Sequence, residues 1–197
     1  KLVMFGFGSG EIQAAFRQGG LVLWTATLAG GRPGQSVATV EDIGATPVIS
    51  GRSVYAANTS GRIVALNLDS GERLWSAPYG TRSLIWPAAG SVFFINDLSE
   101  ITRLDAKTGD FIWAVQLPGY LDKDSTRTKE IVAHHGPILA GGRLIVASSD
   151  GKLRQFDPTS GNELLSIRIP GGATTAPIVS DGTLYVVSKR GELHAFR

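Results

Sequence analysis

The side chains in this 197-residue chain that could do chemistry are few: three histidines, no cysteine, and 17 acidic residues set against 19 Lys and Arg. His134 and His135 are adjacent at a loop-to-strand entry, where neighbouring side chains point to opposite faces. The pair therefore reads as two solvated imidazoles rather than as metal ligands, and His194 is remote in sequence. With no Cys nucleophile, no coherent catalytic set emerges. The sequence assigns no catalytic, cofactor-binding or metal-ligating residue.

The carboxylates with a regular spacing are those near glycines, as in Asp69-Ser70-Gly71. One reading is calcium, but calcium takes six to eight oxygens and each such turn offers a single carboxylate. The other is a turn: an Asp or Asn two or three residues before a Gly accepts bonds from the following amides. The Gly then takes the positive-φ position. The turn reading is preferred.

These turns belong to a repeated unit. ALNLDSGERLW at Ala65–Trp75 returns as RLDAKTGDFIW at Arg103–Trp113 and as QFDPTSGNELL at Gln155–Leu165, with a worn copy, AAFRQGGLVLW, at Ala14–Trp24. Each is strand, tight turn, strand, with a bulky residue, Trp in three copies and Leu165 in the other, four positions after the Gly. The intervals Trp24–Trp75, Trp75–Trp113 and Trp113–Leu165 are 51, 38 and 52 residues. Four short strands in a period of about 40–50 residues define an all-β fold, a β-propeller of four-stranded antiparallel blades.

In chain order, the expected blades are 1–28 (incomplete, strands Leu2–Gly8, Glu11–Arg17 and Leu21–Leu28), 45–79, 80–117, 134–170 and 173–197 (incomplete, lacking its outer strand). The recurrent Trp24, Trp75 and Trp113 are expected to pack between blades. Burial of ~150–250 Å² at ~25 cal/mol/Å² would contribute about 4–6 kcal/mol each as an upper bound. Two connections are longer than the period needs, Ala29–Ile43 and Pro118–Ala133. Strand parity in a meander sends both to the same face, and long loops on one edge of a rigid scaffold commonly form a binding surface; the alternative is a tolerated insertion. The charges of Leu121–Glu130 balance, as in a solvated loop or a secondary contact.

Composition bounds the partners. A formal charge of +2 arises from scattered residues, without the basic, aromatic-interleaved stripe of a nucleic-acid binder. No run of 18 apolar residues is present to span a membrane. Absence of Cys fits an oxidising compartment without proving one. The opening KLVMFGFGSG reads as a strand rather than a signal peptide, and its abrupt start suggests a chain cut from something longer.

The repeat resembles that of the quinoprotein-type propellers, A-x-D-x-x-T-G-x-x-x-W. Ala65, Asn67, Ser70, Gly71 and Trp75 match it with conservative changes, as do Asp105, Thr108, Gly109 and Trp113. A finer resemblance covers nearly the whole chain. ATPVISGRSVYAANTSGRIVALNLDSGERLW (Ala45–Trp75) and SDGTLYVVSKRGELHAFR (Ser180–Arg197) look like the central blade and the C-terminus of the BamB family. Those are periplasmic lipoproteins of the machine that folds β-barrels into the bacterial outer membrane.

That resemblance implies the C-terminal half of an eight-bladed ring, here about five blades with two incomplete, whose last blade is completed by an N-terminal strand. It implies a periplasmic location, with the parent lipid-anchored to the outer membrane by an anchor outside this chain. The implied partner is the barrel-forming subunit, gripped through its periplasmic POTRA-type repeats, with unfolded outer-membrane proteins as a further class. The family's acidic stretch before a TTP strand falls here on Glu41, Asp42, Ile43 and Gly44; Asp42 keeps an acid, whereas Gly44 stands where an acid is expected, with Glu41 as a substitute.

Two functions are thus weighed: a non-enzymatic scaffold without a cofactor, and a quinone (PQQ)-dependent dehydrogenase-type propeller. The latter needs an Asp base and a calcium held by Glu, Asn and Asp, and none is recognisable. Open blades leave strand edges for β-augmentation, and the chain is expected to self-associate or to pair with the missing half.

Overall fold

The computed structural model describes residues 1–28, 42–121 and 130–197. Most of the Ala29–Ile43 connection, Glu41 included, and residues 122–129 of the charged loop lie outside these. The described residues form eighteen strands in five antiparallel sheets. The first sheet holds β1 (Leu2–Gly6), β2 (Glu11–Phe16) and β3 (Val22–Thr27). The second holds β4 (Val48–Ser50), β5 (Ser53–Ala57), β6 (Ile63–Asn67) and β7 (Arg73–Ala77). The third holds β8 (Trp86–Ala88), β9 (Ser91–Ile95), β10 (Glu100–Asp105) and β11 (Phe111–Gln116). The fourth is β12 (His134–Ala140), β13 (Arg143–Ser148), β14 (Lys152–Phe156) and β15 (Glu163–Arg168). The fifth is β16 (Ile178–Ser180), β17 (Thr183–Val187) and β18 (Leu193–Phe196). Every sheet is a meander with sequential neighbours paired.

Lys1–Asp97 with Arg103–Ile112 form one compact unit, and Leu98–Thr102 with Trp113–Arg197 form a second. In the first unit the second sheet is covered on both faces. Side chains alternate along a strand, so Val54, Ala56, Val64 and Leu66 join Ile12, Ala14, Trp24 and Leu28 in one core. Tyr55, Ala57, Ile63 and Ala65 join Trp75, Ile85, Val92, Phe94 and Leu104 in another. This is why the inner strands read as unbroken apolar runs, VYAA and IVAL, although the sheet is antiparallel. The outer strand β7 alternates instead, Leu74 being half exposed and Trp75 buried.

The repeated turn has one geometry in three copies. The residue four positions before the Gly accepts that glycine's amide on its own carbonyl: Asn67 from Gly71 and Asp105 from Gly109 at 2.9 Å, Asp157 from Gly161 at 2.8 Å. The side-chain Oδ1 of the same residue accepts two further amides. They come from Asp69 and Ser70 onto Asn67, Lys107 and Thr108 onto Asp105, and Thr159 and Ser160 onto Asp157, at 2.7–3.2 Å. The acceptor is thus four residues before the Gly rather than the expected two or three. A side chain as short as Asn or Asp reaches the amides two and three residues ahead, and a residue two before the Gly has passed them. Asp69 instead pairs with exposed Arg52. The hydroxyl preceding each Gly, of Ser70, Thr108 or Ser160, accepts the amide that follows it. In the worn copy, Phe16 keeps the carbonyl-to-Gly20 amide bond but has no side-chain acceptor to offer.

A second bond recurs at the opposite ends of the strands. Amides of Thr59, Asp97, Ser149 and Lys189, all between the second and third strands of a full sheet or the corresponding strands of the last, donate to carbonyls of the connection entering that sheet. The acceptors are Asp42, Gly80, Ala133 and Gly172, at 2.8–3.1 Å. Each entering connection is therefore fastened before its first strand begins.

Candidate partner-binding edge

The indoles occupy a fixed place. Trp24 in β3 and Trp75 in β7 are buried, each against the turn glycine of the following sheet. A Cβ on Gly71 would stand 2.6 Å from Trp24 Cδ2, and one on Gly109 2.6 Å from Trp75 Cε3. Each Nε1–H donates to a carbonyl of that same turn, Trp24 to Leu68 at 2.9 Å and Trp75 to Ala106 at 3.0 Å. In the second unit, Trp113 lies half-buried against Gly161, where a Cβ would stand 3.1 Å from its ring. These glycines have φ of 73°, 78° and 78°. One residue type thus meets two demands, the left-handed backbone and the close approach of a ring.

The segment Asp42–Gly44 runs into the second sheet along the first unit's edge. Asp42 is exposed, and its carbonyl accepts the Thr59 amide at 3.1 Å. Ile43 donates its amide to the Phe7 carbonyl at 3.4 Å and packs its side chain on the core of Ile12, Trp24 and Val54. Its Cγ2 would lie 2.8 Å from a Cβ at Gly6. Gly44 is hemmed in: a Cβ there would stand 2.6 Å from Thr59 Cγ2 and 2.9 Å from the Thr81 carbonyl oxygen. An acid at this position has no space without displacing these groups. Two further side chains flank the segment: Phe7, partly exposed, whose carbonyl accepts the Ile43 amide, and Arg82, whose stem lies beside Gly44. The signal was available, because strand parity places the β1–β2, β5–β6 and β7–β8 connections at the end of the strands where Asp42 enters. Glu41 lies outside the described residues.

The histidines differ from expectation. Neither His134 nor His135 is solvated; both are half-buried. His134 Nδ1 lies 2.7 Å from Ser148 Oγ and Nε2 lies 2.9 Å from the Pro118 carbonyl. Because a carbonyl only accepts, Nε2 carries the proton and Nδ1 accepts the Ser148 hydroxyl. Burial lowers the pKa of both imidazoles, and the Arg154 guanidinium acts in the same direction on His134. His194 on β18 has the Glu192 carboxylate at 3.6 Å, not another imidazole. Among the described residues, no group of three or more His, Asp and Glu could hold a metal.

Beneath His134 lies a buried ion pair. Arg154 Nη2 meets Asp150 Oδ2 at 2.5 Å, with both side chains nearly removed from solvent, and Arg154 Nη1 donates to Ser148 Oγ at 3.0 Å. Pro118, His134, Ser148, Arg154 and Asp150 form one chain of bonds. It ties the start of the Pro118–Ala133 connection to the fourth sheet. The foot of that connection is itself paired, Leu121 with Glu130 and Val132 with Gly119, each at 3.0 Å.

Sheets of this meander, each closed by an Asx-type turn whose glycine receives the preceding sheet's indole, define a β-propeller of PQQ-like repeats. The profile of the family described as "Outer membrane protein assembly factor BamB" matches residues 1–115 and 122–197, and the chain belongs to that family. It is 28% identical to the protein of that name from Legionella pneumophila over 193 residues, 98% of this chain and 47% of the relative. It is 21% identical to the Escherichia coli K12 protein over 194 residues, 96% of this chain and 46% of the relative. The chain thus spans about half the length of the curated relatives it matches. BamB from Moraxella catarrhalis superimposes with a TM-score of 0.74 at 19% identity, over 98% of this chain and 53% of that one. Quinohemoprotein alcohol dehydrogenase from Comamonas testosteroni does so with a TM-score of 0.71 at 14% identity, over 99% and 39%. Those two likenesses describe the fold alone.

Proposed function

We propose that this chain is the C-terminal part of a non-enzymatic scaffold subunit of outer-membrane β-barrel assembly. In this reading it grips the periplasmic repeats of the barrel-forming subunit along Glu41–Gly44, and the parent sits in the periplasm on a lipid anchor. Family membership supports the assembly role, since the relatives are named outer-membrane protein assembly factors. The observation that carries the site is the presentation of Asp42. Its carboxylate is exposed while its carbonyl is held by Thr59 and the next residue is anchored in the core. A charge fixed in this way loses little conformational freedom when a basic partner docks.

The test is a titration of the full-length parent with the soluble periplasmic repeats, native against Asp42→Lys. Saturable binding weakened by about 1 kcal/mol or more, roughly fivefold, supports the site. Binding that the reversal leaves unchanged removes Asp42 from the interface. No binding by the native protein sinks the scaffold reading.

A further inference from the structure

On the fourth sheet and the connection that leaves it the structure carries a groove of about 660 Å³ that has no part in the edge just described. Its walls include Lys152 at the start of β14, Arg168 at the end of β15, and the Gly171-Gly172 connection. Lys152 and Arg168 are direct cross-strand partners. Such pairs hold their Cβ atoms about 4.5–5.5 Å apart, and like charges so placed repel. A third cation joins them: the Arg190 stem lies over Gly171, its Cγ 3.3 Å and its Nε 3.6 Å from where a Cβ would stand.

Asp150, the one carboxylate residue in the groove wall, is bound by Arg154, and Glu130 is bound by Lys189, the neighbour of Arg190, at 3.0 Å. Among the described residues Lys152, Arg168 and Arg190 have no ion pair. The floor is glycine because nothing else fits; a Cβ on Gly172 would stand 2.3 Å from the Ser149 carbonyl oxygen. Bare glycine backbone thus shares this groove with Lys152 and Arg168, and the Arg190 stem lies against it.

We propose that this groove binds an extended acidic polypeptide segment of a partner protein, with Lys152, Arg168 and Arg190 receiving its carboxylates. An open groove of about 660 Å³ is more than one small anion fills. The cations come from two different sheets, so a single carboxylate does not satisfy them, whereas acids alternating along an extended chain recur on one side every ~6.6–6.8 Å. The inference is independent of the Asp42 edge, since it uses other residues and another partner chemistry.

The probe is a fluorescently labelled hexaglutamate peptide titrated into this chain at low salt. Saturable binding is expected, weakened about tenfold or more by Lys152→Glu with Arg168→Glu, and partly by Arg190→Gln alone. A control with the same change in charge, Arg17→Glu with Lys107→Glu, is expected to bind nearly as the native chain does. Urea midpoints of the variants check that they fold, and Arg168→Gln gives a neutral substitution should the reversal fail to do so. Absence of saturable binding overturns the proposal, as does equal weakening by the control pair, which would mean attraction by net charge only. Displacement of the peptide by an equimolar amount of inorganic phosphate would overturn it in favour of a phosphate site.

Discussion

Trp24 and Gly71 are matched as ring and seat: the indole carbon Cδ2 comes within 2.6 Å of where any Cβ at residue 71 would stand, and the indole N–H bonds the Leu68 carbonyl of the same turn. Trp75 and Gly109 repeat the match, with Ala106 supplying the carbonyl. Replacing either glycine by alanine sets two costs together, a left-handed backbone at roughly 1–2 kcal/mol and overpacking at roughly 1–3 kcal/mol. Gly51→Ala meets the first cost alone, since its φ is 59° and nothing lies within 4 Å. Urea unfolding should rank Gly71→Ala and Gly109→Ala well below Gly51→Ala. Equal losses would mean that the rings move aside without penalty.

Gly44→Asp introduces the acid that the resemblance leads one to expect, but should destabilise this chain by about 1–3 kcal/mol, because Thr59 Cγ2 and the Thr81 carbonyl occupy the space. The same variant should gain no partner affinity. A Gly44→Asp protein with an unchanged urea midpoint and tighter binding would contradict both statements.

Acid should weaken the Pro118–His134–Ser148 link. Burial is the largest cause holding the His134 pKa below its ordinary value, so the unfolded chain takes up a proton first. The stabilisation is present in full above the unfolded value of about 6.5 and is lost as pH falls from there through the folded value. His135 contributes in the same sense. Unfolding midpoints measured across this window should fall with pH in the native chain and less steeply in His134→Gln. Identical slopes would remove His134 from the effect.

The Arg154–Asp150 pair should behave as a buried pair does. Asp150→Ala leaves a guanidinium with a side chain only 5% exposed and no carboxylate partner, at a cost of about 3–5 kcal/mol, while Asp150→Ala with Arg154→Met should recover much of it. A double-mutant unfolding cycle with no coupling would show that the pair is solvated.

The strands were legible because their determinants are local. The expected Glu11–Arg17 overshoots β2 by one residue, and Leu21–Leu28 overshoots β3 by one at each end. Asp69 and Asn67 are equivalent in type as turn acceptors, and only the reach to particular amides separates them. The burial of the histidines is hidden from the sequence for a related reason. Adjacent residues on a strand do face opposite ways, but Pro118 and the Ala173 carbonyl, which wait on the two sides, are far away in sequence. Asp42 was marked by resemblance, whereas the crowding at Gly44 involves Thr59 and Thr81, a contact that residue type alone does not encode.

Each of the three recurrent indoles takes its glycine seat further along the chain, Trp24 on Gly71, Trp75 on Gly109 and Trp113 on Gly161. During synthesis, no Trp can find its seat until the next turn has left the ribosome, so every finished unit waits on the one behind it. An interruption between units would therefore leave the last emerged indole bare, an apolar handle of the kind that chaperones recognise. Order of translation and order of locking are the same order.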